Sequence, residues 1–407
     1  MRITLKKVIS FLCCLVPFGA TAASYPDGLT VGQGSDNVVV PASDNSLILG
    51  SNGLDVYGNA VIGGPNQAGK GQLYAEQTSG TFTIQSAGNI FIGRGSNSEV
   101  SYGLTIESGV QLGIKSGTSD NIDVALGAVN AKGGLYISEN IGRVTATGIT
   151  AQKALNITAN SADLGTVSVS GADALLALNV TGTLEVDGLY YQYTGTNADI
   201  VGVINTGTGI QSHGSIQNLE GSGALTITTT NGDVDVTGNI DNMAASMMTF
   251  DGGNIMVSGT MSNQATGGTL KILNASGLAV TGAGAGTGGV SFVNKGDFTA
   301  IVSGRTVFAY GMDLSGMTSS NSFVLETGSL DLGTMRDLQL THGTVNITTK
   351  SISNGEMSFG VVGNEGDATI TLSSAGDFYA QMVKNNSVLA IKTTGESAVL
   401  NIGAIVL

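Results

Sequence analysis

The stretch from Gly214 to Gly282 repeats one pattern three times, as Gly214-Ser-Ile216-Gln-Asn218, Gly238-Asn-Ile240-Asp-Asn242 and Gly259-Thr-Met261-Ser-Asn263. Each copy is followed by a polar turn and by two more short segments in which every second residue is apolar. A single unit of this kind cannot bury its apolar face, so successive units must stack on one another. The stretch therefore predicts a solenoid.

The same alternation recurs along most of the chain, as pairs of apolar residues separated by one residue. Most successive pairs lie 19 to 25 residues apart, and the 47-residue step from Leu178 to Leu225 indicates two coils. Two longer steps indicate single coils with inserted loops near 107–134 and 293–322. The pairs are Phe82/Ile84, Leu104/Ile106, Leu135/Ile137, Leu155/Ile157, Leu178/Val180, Leu225/Ile227, Met248/Phe250, Leu270/Ile272, Val290/Phe292, Phe323/Leu325, Val345/Ile347, Ile370/Leu372 and Leu389/Ile391.

A period near 22 residues with three short strands per unit predicts an all-β fold, a right-handed parallel β-helix of roughly 17 coils. Asn218, Asn242 and Asn263 recur at matched points and predict a ladder of side-chain amides along one corner. A left-handed β-helix would show a strict hexapeptide period, and tandem immunoglobulin-like sandwiches would need units of about 100 residues. The sequence shows neither period.

The first 22 residues have the pattern of a secretory signal peptide. A basic start is followed by an apolar segment at 8–18 and by the small residues Ala20-Thr21-Ala22. We expect cleavage after Ala22 or after the next residue, Ala23. Residues 23–65 are then expected to form an N-terminal cap and the first coil, and residues 66–407 the β-helix rod.

The composition limits the partners that the protein can have. The chain of 407 residues has 16 Lys and Arg against 30 Asp and Glu; the signal segment holds three of the cations and no acid, which leaves 13 against 30. This acidity argues against nucleic acid and anionic membranes as partners. No stretch after the signal segment contains a run of about 18 apolar residues, the length that a membrane-spanning helix requires. Cys13 and Cys14 both precede the cleavage site, so no disulfide is expected in the rod.

The units from Leu225 to Asn242 resemble the β-helical passenger domains of bacterial autotransporters and filamentous-haemagglutinin-type adhesins. The resemblance rests on repeat style and composition and covers most of the chain after the signal segment. It implies export through the periplasm, display at the cell surface or secretion, and a host or cell-surface glycan or protein as partner. The chain has no segment like the outer-membrane translocator of an autotransporter, so a separate outer-membrane translocator is a further expected partner.

The C-terminal residues 397–407 are strand-like and apolar and end without a polar cap. Two explanations stay open at this stage. Either another element covers this end of the rod, or the chain is part of a longer protein.

Residues with the pattern of a catalytic or metal site are few. Asp233 and Asp235 lie on the same side of a strand, as the paired carboxylates of a polysaccharide-cleaving enzyme would; outward, solvated positions are the simpler interpretation. His213 and His342 have no third ligand at metal-site spacing and are expected in surface turns. We predict no catalytic residue, no metal site and no cofactor.

Tyr190, Tyr191 and Tyr193 form the densest aromatic cluster of the sequence and are the candidate ligand-binding residues. Alternation places Tyr191 and Tyr193 on one face of a strand and Tyr190 on the other. An outward pair could stack on sugar rings or dock a protein. An inward pair would fill the core, and packing favours this second arrangement.

The function expected from these observations is that of a secreted, cell-surface-displayed structural or adhesive β-helix protein without catalysis. Binding would be carried by outward side chains and by the two inserted loops. The alternative is a polysaccharide-degrading β-helix enzyme, a lyase or a glycosidase. Three or more acidic and basic residues clustered on neighbouring coils would favour the enzyme, and a uniform Thr, Ser and Asn surface would favour the rod.

Overall fold

The computed structural model describes residues 21–32, 36–64, 71–93, 102–197, 199–284, 289–334, 336–351 and 355–407. Across these residues the regular structure is β-strand with no helix, and the strands stack in parallel as a β-solenoid of about 16 turns. The predicted all-β parallel β-helix is confirmed. The strands are numbered β1 to β44 in chain order and form three sheets.

The first sheet takes one strand from each turn. It comprises β1 (Thr21–Tyr25), β4 (Asp44–Leu49), β8 (Gly80–Ser86), β11 (Val110–Ser116), β13 (Gly134–Ser138), β15 (Ala154–Ala159), β18 (Leu175–Val180), β21 (Val201–Thr206), β24 (Ala224–Thr229), β27 (Met247–Asp251), β30 (Thr269–Ala275), β33 (Asp297–Val302), β36 (Ser322–Thr327), β39 (Thr344–Thr349), β41 (Thr369–Ser374) and β43 (Val388–Thr393).

The second sheet supplies the other two sides of most turns. It comprises β2 (Leu29–Val31), β3 (Val38–Val40), β5 (Leu54–Val56), β6 (Ala60–Ile62), β7 (Leu73–Ala75), β9 (Ile90–Ile92), β10 (Gly103–Ile106), β12 (Ile122–Ala131), β14 (Ile141–Ala151), β16 (Ser161–Asp163), β17 (Thr166–Gly171), β19 (Thr183–Val186), β20 (Gly188–Tyr193), β22 (Gly209–Ser212), β23 (Ile216–Asn218), β25 (Asp233–Val236), β26 (Ile240–Asn242), β28 (Asn254–Val257), β29 (Met261–Asn263), β31 (Gly277–Val280), β32 (Phe292–Asn294), β34 (Arg305–Phe308), β35 (Met312–Asp313) and β37 (Ser329–Asp331). The third sheet, at the C-terminal end, comprises β38 (Leu338–Leu340), β40 (Met357–Asn364), β42 (Phe378–Asn385) and β44 (Leu400–Val406).

The repeated stretch folds as the sequence predicts, with three strands in each turn. Ile216 lies opposite Ile240, which in turn lies opposite Met261, so equivalent residues of successive units stack in register. Within β24, Leu225 and Ile227 are buried while Thr226 between them is partly exposed. The alternation of side chains along each strand therefore sends one apolar set into a shared interior.

The predicted phase of the repeat is wrong at three places. Leu104 and Ile106 lie in β10 of the second sheet, and the first-sheet strand of that turn is β11. Val290 and Phe292 likewise lie at the second sheet, with β33 in the first-sheet position. In β18 the register is two residues earlier than predicted, because Leu178 pairs with Ile157. The pattern misleads here because second-sheet strands show the same alternation as first-sheet strands.

The two predicted inserted loops are also corrected by the structure. The segment 107–134 contains β11 and β12, and the segment 293–322 contains β33, β34 and β35. These residues belong to the regular wall of the solenoid because their backbone pairs with strands of the neighbouring turns. The two coils inferred between Leu178 and Leu225 are confirmed, since β21 lies between β18 and β24.

The N-terminal turns follow the same plan, with one strand out of sequence order. Strand β1 pairs with β4 and β2 pairs with β5. Strand β7, however, lies between β3 and β6, although it follows both in the chain. The predicted cleavage positions fall inside β1. Most of the predicted signal segment, residues 1–20, lies outside the described residues.

The predicted asparagine ladder is present and is one residue longer than expected. Each side-chain amide nitrogen donates to the next oxygen, over 3.1 Å from Asn218 to Asn242, 3.0 Å from Asn242 to Asn263 and 2.8 Å from Asn263 to Asn294. All four side chains are completely buried. The first oxygen of the ladder, Oδ1 of Asn218, has no hydrogen-bond partner in the described residues, and Tyr191 occupies the next position along the column.

A phenylalanine cluster fills the interior beyond the asparagine ladder. Phe298 stacks on Phe323 with ring centroids 4.8 Å apart and lies at the same distance from Phe292, whose ring is 5.2 Å from that of Phe308. Burying these rings and the aliphatic side chains above and below them supplies the main favourable free energy of the fold.

The C-terminal end of the rod is open along its last strands. Strands β43 and β44 pair on one side only, with β41 and β42. Their outward apolar residues are exposed, with 62% of Val388 and 63% of Ile405 accessible, and 89% of Leu407 after β44 is accessible as well. Leu389, Ile391 and Ile402 are partly buried against the core. The two explanations given above for this end both stay predictions.

Candidate functional site

A groove lies where the second sheet ends and the third sheet begins. Strand β37 pairs with β34 on one side, whereas the next strand on that side of the rod, β40, belongs to the third sheet. The solenoid wall parts at this junction and leaves a cleft of about 580 Å³. We call it the junction groove. It is lined by Arg305, Ser329, Leu330, Asp331, Leu332, Arg336, Glu356, Ser358 and Tyr379.

One side of the junction groove carries an ion pair between neighbouring turns. Arg305 begins β34, and Nη2 of its guanidinium donates to Oδ2 of Asp331 at the end of β37. The other carboxylate oxygen of Asp331 accepts the backbone N–H of Gly333 over 2.8 Å. Both oxygens of Asp331 are thus engaged, and this carboxylate orients the guanidinium of Arg305.

Arg336 bridges the junction between the two sheets. Its Nε donates to the carbonyl oxygen of Gly333 over 2.8 Å, and its Nη1 donates to Oγ of Ser358 over 3.3 Å. Its backbone carbonyl accepts the N–H of Gly360 in β40 over 2.9 Å. A guanidinium has five N–H groups, so three of them make no hydrogen bond within the described residues.

Tyr379 presents its ring at the far side of the junction groove and is 38% exposed. Its hydroxyl donates to Oδ2 of Asp377 over 2.9 Å, while Oδ1 of Asp377 accepts the backbone N–H of Val399 over 2.8 Å. The hydrogen bond from Val399, followed by that from Tyr379, lowers the pKa of Asp377. The same bond to Asp377 raises the pKa of Tyr379, and the charge of Glu356 contributes in the same direction.

Glu356 is the second acidic residue that lines the junction groove, beside Asp331. It is exposed just before β40 and makes no hydrogen bond or ion pair within the described residues. Two leucines also line the groove, the buried Leu332 and the half-buried Leu330, so the lining has an apolar part. The groove therefore combines open donors, an open acceptor, an aromatic ring and apolar surface.

The structure separates the three tyrosines predicted as a ligand site. Tyr191 is completely buried and Tyr193 is 6% exposed, which confirms the inward arrangement of this pair. Burial, followed by the nearby Tyr193, raises the pKa of Tyr191. Its ring fits here because Gly202 and Gly223 have no side chains; a Cβ on either would lie 3.1 to 3.2 Å from it. Tyr190 is the member whose side chain is only partly buried, and ligand binding by this cluster stays a prediction.

The acidic pair and the two histidines all lie on the surface. Asp233 and Asp235 are exposed, outward positions of β25, as the simpler interpretation predicts. Nε2 of His213 lies 2.8 Å from Oε1 of Glu185, and Nδ1 of His342 lies 2.6 Å from Oδ1 of Asp367. In the part of the chain that the structure describes, no group of three or more His, Cys, Asp or Glu residues is arranged to hold a metal ion.

The junction groove could not be found from the sequence because its lining residues come from four successive turns of the solenoid. Arginine is scarce in the sequence, yet Arg305 and Arg336 both line this cleft. One signal was available: Arg305 and Asp331 are 26 residues apart, about one turn. Opposite charges at that spacing meet on neighbouring turns of a solenoid.

The fold defines the chain as a parallel β-solenoid. Comparison with protein-family models, with curated proteins and with solved structures finds no match to it. Within the described ranges, no helix has the length and apolar character needed to cross a membrane.

Proposed function

We propose that the protein is a secreted, cell-surface-displayed structural or adhesive rod, without catalysis. The observation that carries this proposal is the continuous solenoid of about 16 turns, which presents side chains on a rigid, extended scaffold. The N-terminal signal pattern supports export. The resemblance in repeat style to autotransporter passengers and filamentous-haemagglutinin-type adhesins supports display at the surface, with a separate outer-membrane translocator as partner.

The junction groove supports binding more than bond cleavage. A glycosidase of the usual kind needs two carboxyl groups that flank the scissile bond, one of them as general acid. In the groove Asp331 has both oxygens engaged by Arg305 and the N–H of Gly333. Glu356 is then the one groove-lining carboxylate with open oxygens among the described residues, which suits ligand recognition better than a two-carboxylate mechanism.

A polysaccharide-degrading enzyme is the second candidate function. It is favoured by the clustering of Arg305, Asp331, Arg336 and Glu356 on neighbouring turns of one face. Lyases on solenoid scaffolds could use such a mixture of acidic and basic side chains, so this alternative needs a direct test.

The deciding experiment measures binding and cleavage on the same samples. The protein, purified after export from a Gram-negative host, is incubated with a panel of immobilised and soluble glycans. Retention on a glycan without new reducing ends or unsaturated products is the result expected for an adhesive rod. New reducing ends that increase with time would overturn the non-catalytic proposal in favour of the enzyme.

A further inference from the structure

We propose that the junction groove binds a neutral saccharide through Arg336, Glu356 and the ring of Tyr379. This inference names a ligand class for the adhesive function and rests on it, since the groove is taken to hold its ligand rather than cleave it. The cleft of about 580 Å³ falls in the range of about 300 to 1,000 Å³ that small-molecule sites occupy.

The polar groups of the junction groove match vicinal hydroxyl groups. Within the described part of the chain, three of the N–H groups of Arg336 have no partner, after the two that bond to Gly333 and Ser358. Glu356 offers carboxylate oxygens, which only accept hydrogen bonds. A sugar hydroxyl both donates and accepts, so adjacent hydroxyls can bond to the guanidinium and the carboxylate together. Bonds to charged groups of this kind are among the stronger hydrogen bonds.

The ring of Tyr379 supplies the apolar contact that a pyranose needs. Its hydroxyl is tied to Asp377, which is itself tied to the backbone of Val399, so the ring is held in place before a ligand arrives. Fixing a side chain in advance lowers the entropy lost on binding. An aromatic face with a polar tip suits a ligand that has one apolar C–H face and hydroxyls at its edge.

The charges of the junction groove favour a neutral ligand. Arg305 and Arg336 are balanced by Asp331 and Glu356 among the lining residues. The whole chain has a formal net charge of −14, so an acidic saccharide would approach against repulsion. A cationic ligand would meet two guanidinium groups inside the groove. An uncharged saccharide meets neither penalty.

The test measures binding of tetrasaccharides to the purified full-length protein by calorimetry and saturation-transfer NMR. The neutral probes are tetramers of glucose, mannose, galactose and N-acetylglucosamine, and the acidic probe is a galacturonate tetramer. We expect at least one neutral tetramer to bind. We expect Tyr379→Ala to weaken its affinity about tenfold and Arg336→Gln to weaken it by about tenfold or more. Tyr379→Phe keeps the ring but loses the hydroxyl that holds it in place, so it should weaken the affinity less than Tyr379→Ala does.

Matched controls test whether the effect belongs to the junction groove. Tyr310 is 41% exposed but outside the groove, and Arg143 forms an exposed ion pair with Asp163 elsewhere on the rod. Tyr310→Ala and Arg143→Gln should both bind like the parent protein. Circular dichroism of every variant establishes that the strand content is unchanged.

Each other outcome overturns the inference. Absence of binding by all neutral tetramers, tighter binding of galacturonate, or equal affinity of the Tyr379→Ala and Arg336→Gln variants and the parent would each do so. Failure of the adhesive proposal gives a different result. In that case a neutral glycan still binds in a groove-dependent way but is also cleaved. If adhesion holds and only the groove inference fails, the protein retains a glycan that the groove variants retain equally.

Discussion

Asn242→Ala should strongly destabilise the middle of the solenoid, because it removes a buried side chain from the asparagine ladder. Asn242 is completely buried. Its amide donates to Asn263 over 3.0 Å and to two backbone carbonyls, and its oxygen accepts from Asn218 over 3.1 Å. The two amide–amide bonds contribute about 2 kcal/mol, and stranding a buried donor and acceptor adds at least about 1 kcal/mol. The expected loss is about 3 kcal/mol, or roughly 100-fold in an opening equilibrium.

Hydrogen exchange followed by mass spectrometry measures this loss turn by turn. Because each turn contacts only its neighbours, faster exchange is expected in β23, β26 and β29 and not in distant turns such as that of β13. Asn205→Ala is the matched control, since Asn205 makes a similar amide–amide bond to Asn179, over 2.8 Å, at an exposed position. Its expected cost is within about 0.5 kcal/mol. Equal effects of the two substitutions, or uniform loss of protection along the rod, would refute the reasoning.

Three further predictions concern the surface, the core and a corner. The pKa of His213 should lie above its ordinary value of 6.5 because of its hydrogen bond to Glu185. The contribution of this bond to the stability of the fold is present below pH 6.5 and is lost as the pH rises through the raised pKa. NMR titration should show that Glu185→Gln lowers the pKa of His213. Phe298→Ala removes a buried, stacked ring and should lower the free energy of unfolding in urea by about 3 to 5 kcal/mol. Gly333→Ala would place a Cβ 1.9 Å from the carbonyl oxygen of Ala309 at a φ of +60°, and should lower the melting temperature.

Each of these predictions has a control or a contradicting result. Gly267→Ala would place its Cβ 3.7 Å from the nearest atom, so its melting temperature should match that of the parent protein. A His213 pKa that is the same with and without Glu185 would show that the hydrogen bond is not formed in solution. A loss below about 1 kcal/mol for Phe298→Ala would mean that the interior can close around the missing ring.

The fold could be predicted because its information is local. From Gly214 to Gly282 apolar residues recur at every second position of most strands, and glycine and asparagine mark the corners, so the pattern predicts the three strands of each turn. The asparagine ladder followed from the matched positions of Asn218, Asn242 and Asn263 in successive units, 24 and 21 residues apart. The sequence pattern did not predict Asn294 as a member of the ladder, because this residue lies 31 residues after its pairing partner Asn263, in a longer turn.

The phase and the candidate site could not be predicted because they depend on which turns meet. The Leu104 and Val290 segments have the alternation of the first sheet but lie in the second, and only the pairing partners distinguish the two. The junction groove exists because β37 and β40 belong to different sheets. No residue between them marks that break in the sequence, so Arg336 and Tyr379 gave no sign of lying together.

The single-file connection of the turns determines how the rod would respond to tension. In the middle of the first sheet Ile204, Ile227 and Phe250 are successive partners, 23 residues apart. A force that draws the two termini apart would therefore unfold one turn after another rather than unfold the whole rod at once. Each detached turn would lengthen the chain by about 80 Å. In the adhesive function proposed above, this stepwise extension would let an attachment yield gradually to shear instead of breaking.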